Sequence, residues 1–310
     1  MKTALIFPGQ GSQNVGMGHD FYSDFQSSRD IYNQLDKTMG KSLANLIFKG
    51  EESDLAMTEN SQPSIMATSI AIIAALKESG KIDEHSFHCV AGHSLGEYSA
   101  LVANKSLNFS DSVELLKIRS KAMQESMPVG TGGMAAIIGG TEEEIAAAIR
   151  DISSEGKIFI ANDNAVGQVV ISGEMKAIDY IVANSKKLGL KKVIKLSVSA
   201  PFHCEFMMKA LVTMQNEIDK FSFKAFAVPL YSNVTSLPCD EAEIKQILVK
   251  QIIKKVRWRE IILNMLNDGV ERFIEIGPGN VLTNLVKRMS KEITSISISK
   301  VDDFEKLDNI

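Results

Sequence analysis

The sequence predicts an α/β fold: a large domain on a mostly parallel sheet covered on both faces, interrupted by a small inserted domain. Three observations carry this. Short, largely apolar runs at 3–7, 87–91 and 272–276 alternate with longer helix-like segments, as in parallel sheets whose strands are buried on both faces. One of these runs turns sharply into a helix at Gly92-His93-Ser94-Leu95-Gly96. A glycine-rich linker, Pro128-Val129-Gly130-Thr131-Gly132-Gly133, then opens a stretch with its own rhythm.

In chain order, residues 3–7 form the first strand and run into Pro8-Gly9-Gln10-Gly11-Ser12-Gln13. Gly9-x-Gly11 after a strand raises a dinucleotide-binding reading, but Asn14 stands where the third glycine of that fingerprint belongs. The loop still lies where α/β sheets place ligands, and it could bring the Gln10 amide close to a substrate oxygen. Residues 18–78 read as helices, with a helix entry at Ser61-Gln62-Pro63. The apolar run at 64–76 is too short to span a bilayer and reads as a buried helix.

The turn at 92–96 has the form Gly-x-Ser-x-Gly between a strand and a helix at 97–103, the pattern of a nucleophile elbow. Side chains at Gly92 and Gly96 would collide as strand and helix close, and the serine is left at the tip of a strained turn. The helix start aims the Leu95 amide where a negative oxygen would form. A helix to about residue 127 follows, with Ser110 as its cap and Val113, Leu116, Ile118 and Met123 toward the core. Arg119 lies inside it and, read alone, is a solvated helix arginine.

Beyond the linker, 134–138, 157–161, 168–172 and 192–198 read as strands. Residues 141–151 and 174–188 read as helices, the first opened by the capping box Thr141-Glu142-Glu143-Glu144. The order β-α-β-β-α-β is that of a ferredoxin-like unit. The expected organisation is a hydrolase-like large domain over 1–128 and 199–310, with a ferredoxin-like small domain over 129–198. After it, His203 stands at the start of a helix to about 218, and 228–233, 272–276 and 293–298 read as strands. The charged tail from Asp302 is expected to fray.

Composition narrows the function. The 310 residues are 45% hydrophobic and 23% charged, with mean hydropathy near zero and a net charge of −4, so nucleic acid is not the expected partner. Cys89, Cys204 and Cys239 form no C-x-x-C pair, so neither a disulfide framework nor a zinc site is expected. Only Ala4-Leu5-Ile6-Phe7 precedes Pro8, too short for a signal peptide, and the expected compartment is the cytoplasm.

A serine nucleophile needs a base. Among His19, His85, His88, His93 and His203, the last lies in a boundary loop after Pro201-Phe202, which suits a fixed catalytic side chain. His85 and His88 sit at the buried strand, and a sharp turn points His93 away from its neighbour. An α/β-hydrolase needs an acid between serine and histidine in chain order, yet nothing marks Asp151 or Asp179. Asp268-Gly269 would serve a Ser-Asp lipase but is equally a turn. Cys204 reads as a packing residue.

With these residues assembled, the chain resembles the malonyl-CoA:acyl carrier protein transacylases of fatty-acid synthesis over nearly its whole length. The matching stretches are Phe7-Pro8-Gly9-Gln10-Gly11-Ser12-Gln13, Ala91-Gly92-His93-Ser94-Leu95-Gly96-Glu97-Tyr98-Ser99-Ala100, Arg119 with Met123-Gln124, Gly167-Gln168-Val169-Val170-Ile171-Ser172-Gly173, His203, Gln251 and Glu275-Ile276-Gly277-Pro278-Gly279. The resemblance implies Ser94 as nucleophile, His203 as base, and the amides of Gln10 and Leu95 as the oxyanion hole. It implies that Arg119 holds the substrate carboxylate and that the Gln251 carbonyl orients His203 in place of a triad acid. Asn162 would line the cleft, and Phe202 before His203 looks like the Phe-His pair of malonyl-selective domains. Lys254-Lys255 stand where the family often has Asn-Pro.

No metal or cofactor and no membrane are implied. The implied partners are malonyl-CoA and an acyl carrier protein, with a monomer as the default. Carrier proteins are acidic, so a basic patch is expected, either Lys186, Lys187, Lys191, Lys192 and Lys195 or Lys250, Lys254, Lys255, Arg257 and Arg259. A serine hydrolase or lipase, and a non-catalytic carrier-protein docking module, are the competing classes.

Overall fold

Successive residues of the first strand face two different cores. Leu5 and Phe7 pack into one apolar cluster, Ala4 and Ile6 into another, because a strand sends alternate side chains to opposite faces. The structure, a computed structural model, describes residues 1–83 and 85–308. Its strands are β1 (Lys2–Phe7), β2 (Cys89–Gly92), β3 (Gly132–Ile138), β4 (Ile158–Ala165), β5 (Gln168–Glu174), β6 (Lys192–Lys195), β7 (Leu230–Tyr231), β8 (Val270–Ile276) and β9 (Thr294–Ile298).

One sheet runs β7-β2-β1-β8-β9 with every neighbouring pair parallel. Parallel neighbours need crossovers, and helices supply them on both faces. Helices Thr58–Glu78, Gly96–Ala103 and Phe109–Gln124 share the core of Leu5 and Phe7. Helices Trp258–Asn267 and Val281–Met289 share the core of Ala4 and Ile6. Phe7 lies opposite Gly92, so the loops after β1 and β2 emerge side by side at one edge.

The second sheet runs β4-β5-β3-β6, with all pairs antiparallel. One face packs Ala135, Ile137, Val169 and Ile171 against helices Glu142–Asp151 and Met175–Ala183. From the other face, Met134 and Val170 join the large core. Backbone hydrogen bonds tie β4 to the segment before the helix Trp258–Asn267: Val256 N–H donates to the Ala161 carbonyl (2.8 Å) and Asp163 N–H donates to the Val256 carbonyl (2.9 Å). Ion pairs Arg259–Asp163 (2.7 Å) and Lys255–Glu142 (2.7 Å) reinforce the seam.

Several expected boundaries shift, each for a local reason. The helix expected to enter at Ser61-Gln62-Pro63 begins at Thr58, because the Met57 carbonyl already accepts the Asn60 and Ser61 amides. Pro63 therefore lies inside the helix. Asn108, not Ser110, caps the helix Phe109–Gln124: its side chain accepts the Asp111 amide at 2.8 Å, while the Ser110 hydroxyl bonds Gln34. The strand expected at 228–233 is only Leu230–Tyr231, and the helix expected at 174–188 ends at Ala183. The helix near His203 starts at Met208, after a short 3-10 turn. The tail is not frayed over 302–308: the Asp303 carboxylate accepts the Ser299 and Lys300 amides, and Phe304 packs on Phe21 and Phe25.

The tightest approach in the fold is at β2. A Cβ on Gly92 would lie 1.8 Å from the Gly96 carbonyl carbon, and one on Gly96 would lie 2.3 Å from the Phe7 oxygen. Both obstacles are backbone and cannot rotate away. Gly92→Ala should therefore lose at least ~3 kcal/mol of stability, beyond ordinary overpacking, in a urea unfolding measurement.

Candidate active site

Ser94 follows β2 with φ 54°, a left-handed value uncommon outside glycine. Asn233 holds it there. The Asn233 Oδ1 accepts the Ser94 amide at 2.7 Å, and its Nδ2 donates to the Gly92 carbonyl at 2.7 Å. One side chain thus clamps both sides of the turn. His203 also has a left-handed φ, at 58°. Two such residues in contact mark a place where backbone strain is held by its surroundings.

Ser94 Oγ lies 2.8 Å from His203 Nε2, and His203 Nδ1 lies 2.8 Å from the Gln251 carbonyl. A carbonyl only accepts, so Nδ1 carries the proton and Nε2 is bare toward the serine hydroxyl. Burial, with the Arg119 charge adding to it, pushes His203 down to about 3. The ring is therefore a neutral acceptor at pH 7. Among the described residues no carboxylate takes the place of an acid: Asp151 is exposed, Asp179 pairs with Lys195 (2.6 Å), and Asp268 bonds the Tyr231 hydroxyl.

Arg119 is not solvated but 1% exposed. Its Nη1 donates to Gln62 Oε1 (2.6 Å), and its Nη2 donates to Gln251 Oε1 (2.9 Å) and to Ser94 Oγ (3.2 Å). Among the described residues no carboxylate pairs with it, and its Nε is buried without a partner. Buried guanidinium groups are ordinarily paired. Here the charge sits beside the serine with hydrogen-bonding capacity to spare.

These groups open into a cavity of about 260 Å³ between the two sheets, lined in part by Gln10, Ser94, Arg119, Asn162, Phe202 and His203. Leu95 and Gln251 do not line it. The Leu95 side chain is in the core, and Gln251 lies buried behind His203 and Arg119. The Gln10 side chain is turned to Thr58 at 3.2 Å. Met134, Val170, Leu196 and Val198 add apolar walls. His93 lines the same cavity, and its Nε2 lies 2.8 Å from Asn164 Oδ1 on β4. Cys204 is buried and pushed up to about 12 by burial, so it is no thiolate.

Sequence reasoning missed Asn233, Gln62 and Glu97. The last left a signal: it is the lone charge at the head of the otherwise uncharged helix Gly96–Ala103. The second proposed basic patch is largely consumed. Lys255 pairs with Glu142, Arg257 with Glu260 and Arg259 with Asp163. The lysines of the first patch are all exposed.

A sequence model of the acyl transferase domain matches residues 4–305. The chain belongs to the acyl transferase domain family. Relatives in this family include a malonyl CoA-acyl carrier protein transacylase of Bacillus subtilis, 39% identical over 306 residues, which are 98% of this chain and 95% of that protein. One from Staphylococcus aureus is 36% identical over 304 residues, 97% of each chain. An acyl-carrier-protein S-malonyltransferase structure from Bartonella henselae superposes with a TM-score of 0.95 at 40% identity, covering 99% of this chain and 98% of that one. A type II PKS acyl-carrier protein in complex with its malonyl-transacylase matches with a TM-score of 0.95 at 34% identity, covering 100% of both chains. Among the described residues, no helix is long and apolar enough to cross a membrane, and no three His, Cys, Asp or Glu side chains group to hold a metal ion.

Because the His203 ring is already neutral, labelling of Ser94 by a small uncharged sulfonyl fluoride should hold its rate from about pH 8 to about pH 5. A fall with a midpoint near 6.5 would show an ordinary histidine instead.

Proposed function

We propose that this chain transfers a malonyl group from malonyl-CoA to the phosphopantetheine thiol of an acyl carrier protein, through a malonyl-serine intermediate, supplying fatty-acid chain elongation. The observation that carries the reading is the buried Arg119, unpaired by any carboxylate among the described residues and 3.2 Å from the Ser94 hydroxyl. A substrate with its own carboxylate supplies the missing partner. The relatives' names and the carrier-protein complex of a neighbour support the same substrates.

In this reading Gly92 to Gly96 is a nucleophile elbow. Ser94 Oγ attacks the thioester carbon while its proton passes to His203 Nε2, and the Gln251 carbonyl stabilises the imidazolium through Nδ1. The developing oxyanion is met by the Gln10 and Leu95 amides, one such donor typically being worth about 3 kcal/mol of barrier. Coenzyme A leaves with the proton returned by His203. The carrier thiol then attacks the ester by the same route in reverse. No cofactor takes part. Phe202 and Asn162 shape the acyl pocket.

The division into a hydrolase-like domain over 1–128 and 199–310 and a ferredoxin-like domain over 129–198 is supported by the two sheets and by the strand-helix-strand-strand-helix-strand order of the second. A cytoplasmic monomer completes the reading. The exposed lysines at 186, 187, 191 and 192 offer an acidic carrier a surface.

The hydrolase reading lacks its acid, since His203 Nδ1 faces a carbonyl. Intact mass after brief mixing with malonyl-CoA should show a malonyl adduct that is absent in Ser94→Ala and clears on adding acyl carrier protein. Free malonate without transfer would establish a hydrolase, and a folded protein with neither adduct nor turnover a docking module. Arg119→Ala should narrow the malonyl-to-acetyl preference by roughly a hundredfold, the value of about 3 kcal/mol of charge pairing. An unchanged ratio would remove Arg119 from substrate recognition.

A further inference from the structure

Glu97 is a fully buried carboxylate to which the mechanism above assigns no part. Its Oε1 accepts the Asn233 amide at 2.9 Å, and its Oε2 accepts from the Gln251 side-chain Nε2. These two partners are the ones that hold the site. Asn233 clamps the Ser94 amide and the Gly92 carbonyl. Gln251 orients His203 through its carbonyl, donates from Nε2 to the Ser94 carbonyl (2.9 Å), and accepts Arg119 Nη2 on Oε1 (2.9 Å).

We propose that Glu97 is a positioning residue for acyl-group selection: its carboxylate fixes which way the Gln251 amide faces, and so holds Arg119 in place for the substrate carboxylate. This rests on the reading of Arg119 given above.

A carboxamide has one donating end and one accepting end. A carboxylate at Glu97 accepts only, so it takes the NH2 end and leaves the oxygen for the guanidinium. The reversed amide would set oxygen against carboxylate and NH2 against guanidinium, two repulsive contacts in a buried place. The arrangement also solves a charge problem. A carboxylate bonded directly to Arg119 would occupy the guanidinium fork that a substrate must use. With a neutral amide between them, the buried charges still attract, yet the Nε edge of Arg119 stays unbonded.

The surroundings act on the carboxyl in opposite directions. Burial pushes the Glu97 carboxyl up to about 7, against the opposing pull of the Asn233 and Gln251 hydrogen bonds and the Arg119 charge. The ionisable groups around it are Arg119 from the helix Phe109–Gln124, Tyr98 on its own helix, Cys239 from the segment after β7, and His203 beyond Gln251. Tyr98 and Cys239 are pushed up to about 12 and His203 down to about 3, so the carboxyl is the group of this set that changes charge near pH 7.

The test compares kcat and KM for malonyl-CoA and acetyl-CoA in the full-length enzyme and in Glu97→Gln. The expected result is that malonyl kcat/KM falls about tenfold more than acetyl kcat/KM, chiefly through KM, because acetyl has no carboxylate for Arg119 to hold. Equal losses for the two substrates would reduce Glu97 to a structural role and overturn the proposal. The exchange variant Glu97→Gln with Gln251→Glu restores a donor-acceptor match but sets a carboxylate directly on Arg119. It should recover thermal stability without recovering malonyl preference, and recovery of both would overturn the proposal.

Should Glu97→Gln fail to fold, the unmodified enzyme decides. Its malonyl-CoA KM should rise several-fold from about pH 8 to about pH 6, with the acetyl-CoA KM unchanged, and a flat malonyl KM would overturn the proposal. The two readings fail separately. If Arg119→Ala leaves the malonyl-to-acetyl ratio intact, the Arg119 reading is at fault. If Arg119→Ala collapses the ratio and Glu97→Gln does not, only the role of Glu97 is lost.

Discussion

The contact on which the rest depends is the near-collision of backbone at Gly92, Gly96 and Phe7. It brings the carboxyl ends of β1 and β2 and the start of the following helix into one small volume. Ser94 is forced to a left-handed φ there, with Asn233 bonding both sides of the turn. From that point the other groups are placed by hydrogen bonds of about ordinary length rather than by loops free to adjust. The cavity walls are then completed from the second sheet, whose free face is apolar at Met134 and Val170.

Buried polarity is concentrated around this point. Glu97, Arg119, His203, Asn233 and Gln251 are all buried, and each bonds at least one of the others or Ser94. Such networks are costly when half-satisfied and rigid when complete. Three donors of this site are left over. The Arg119 Nε has no partner, and the Gln10 and Leu95 amides find no acceptor among the described residues. Spare donors at a buried site suit a group that brings its own acceptors.

Much of the architecture was legible because it is written locally. The capping box at Thr141 and Glu144 forms as read, since both of its residues lie within one turn. The strand-turn-helix around Ser94 was legible from its two glycines. Arg119 was not: exposure of a helix residue depends on what packs over it, and Gln62 and Gln251 come from 57 and 132 residues away. Read by itself it was a solvated arginine, and only the likeness to a family pointed inward. The two-residue β7 has too little length to carry a period, and Ser110 lost the cap to Asn108 because the better-placed acceptor lay two residues earlier. The tail from Asp302 looked frayed because its charge was visible and the Phe21–Phe304 contact was not.

One quiet feature bears on fidelity. Cys204 adjoins His203 in the chain, and Cys89 opens β2, in a protein proposed to work on thioesters. Both thiols are buried and pushed up to about 12, which keeps them as thiols at pH 7. Thiol exchange proceeds through the thiolate, so an acyl group resting on Ser94 has no internal sulfur to migrate to. Cys239 is pushed up to about 12 as well, so the chain is insulated against acylating itself and favours a sulfur that enters from outside.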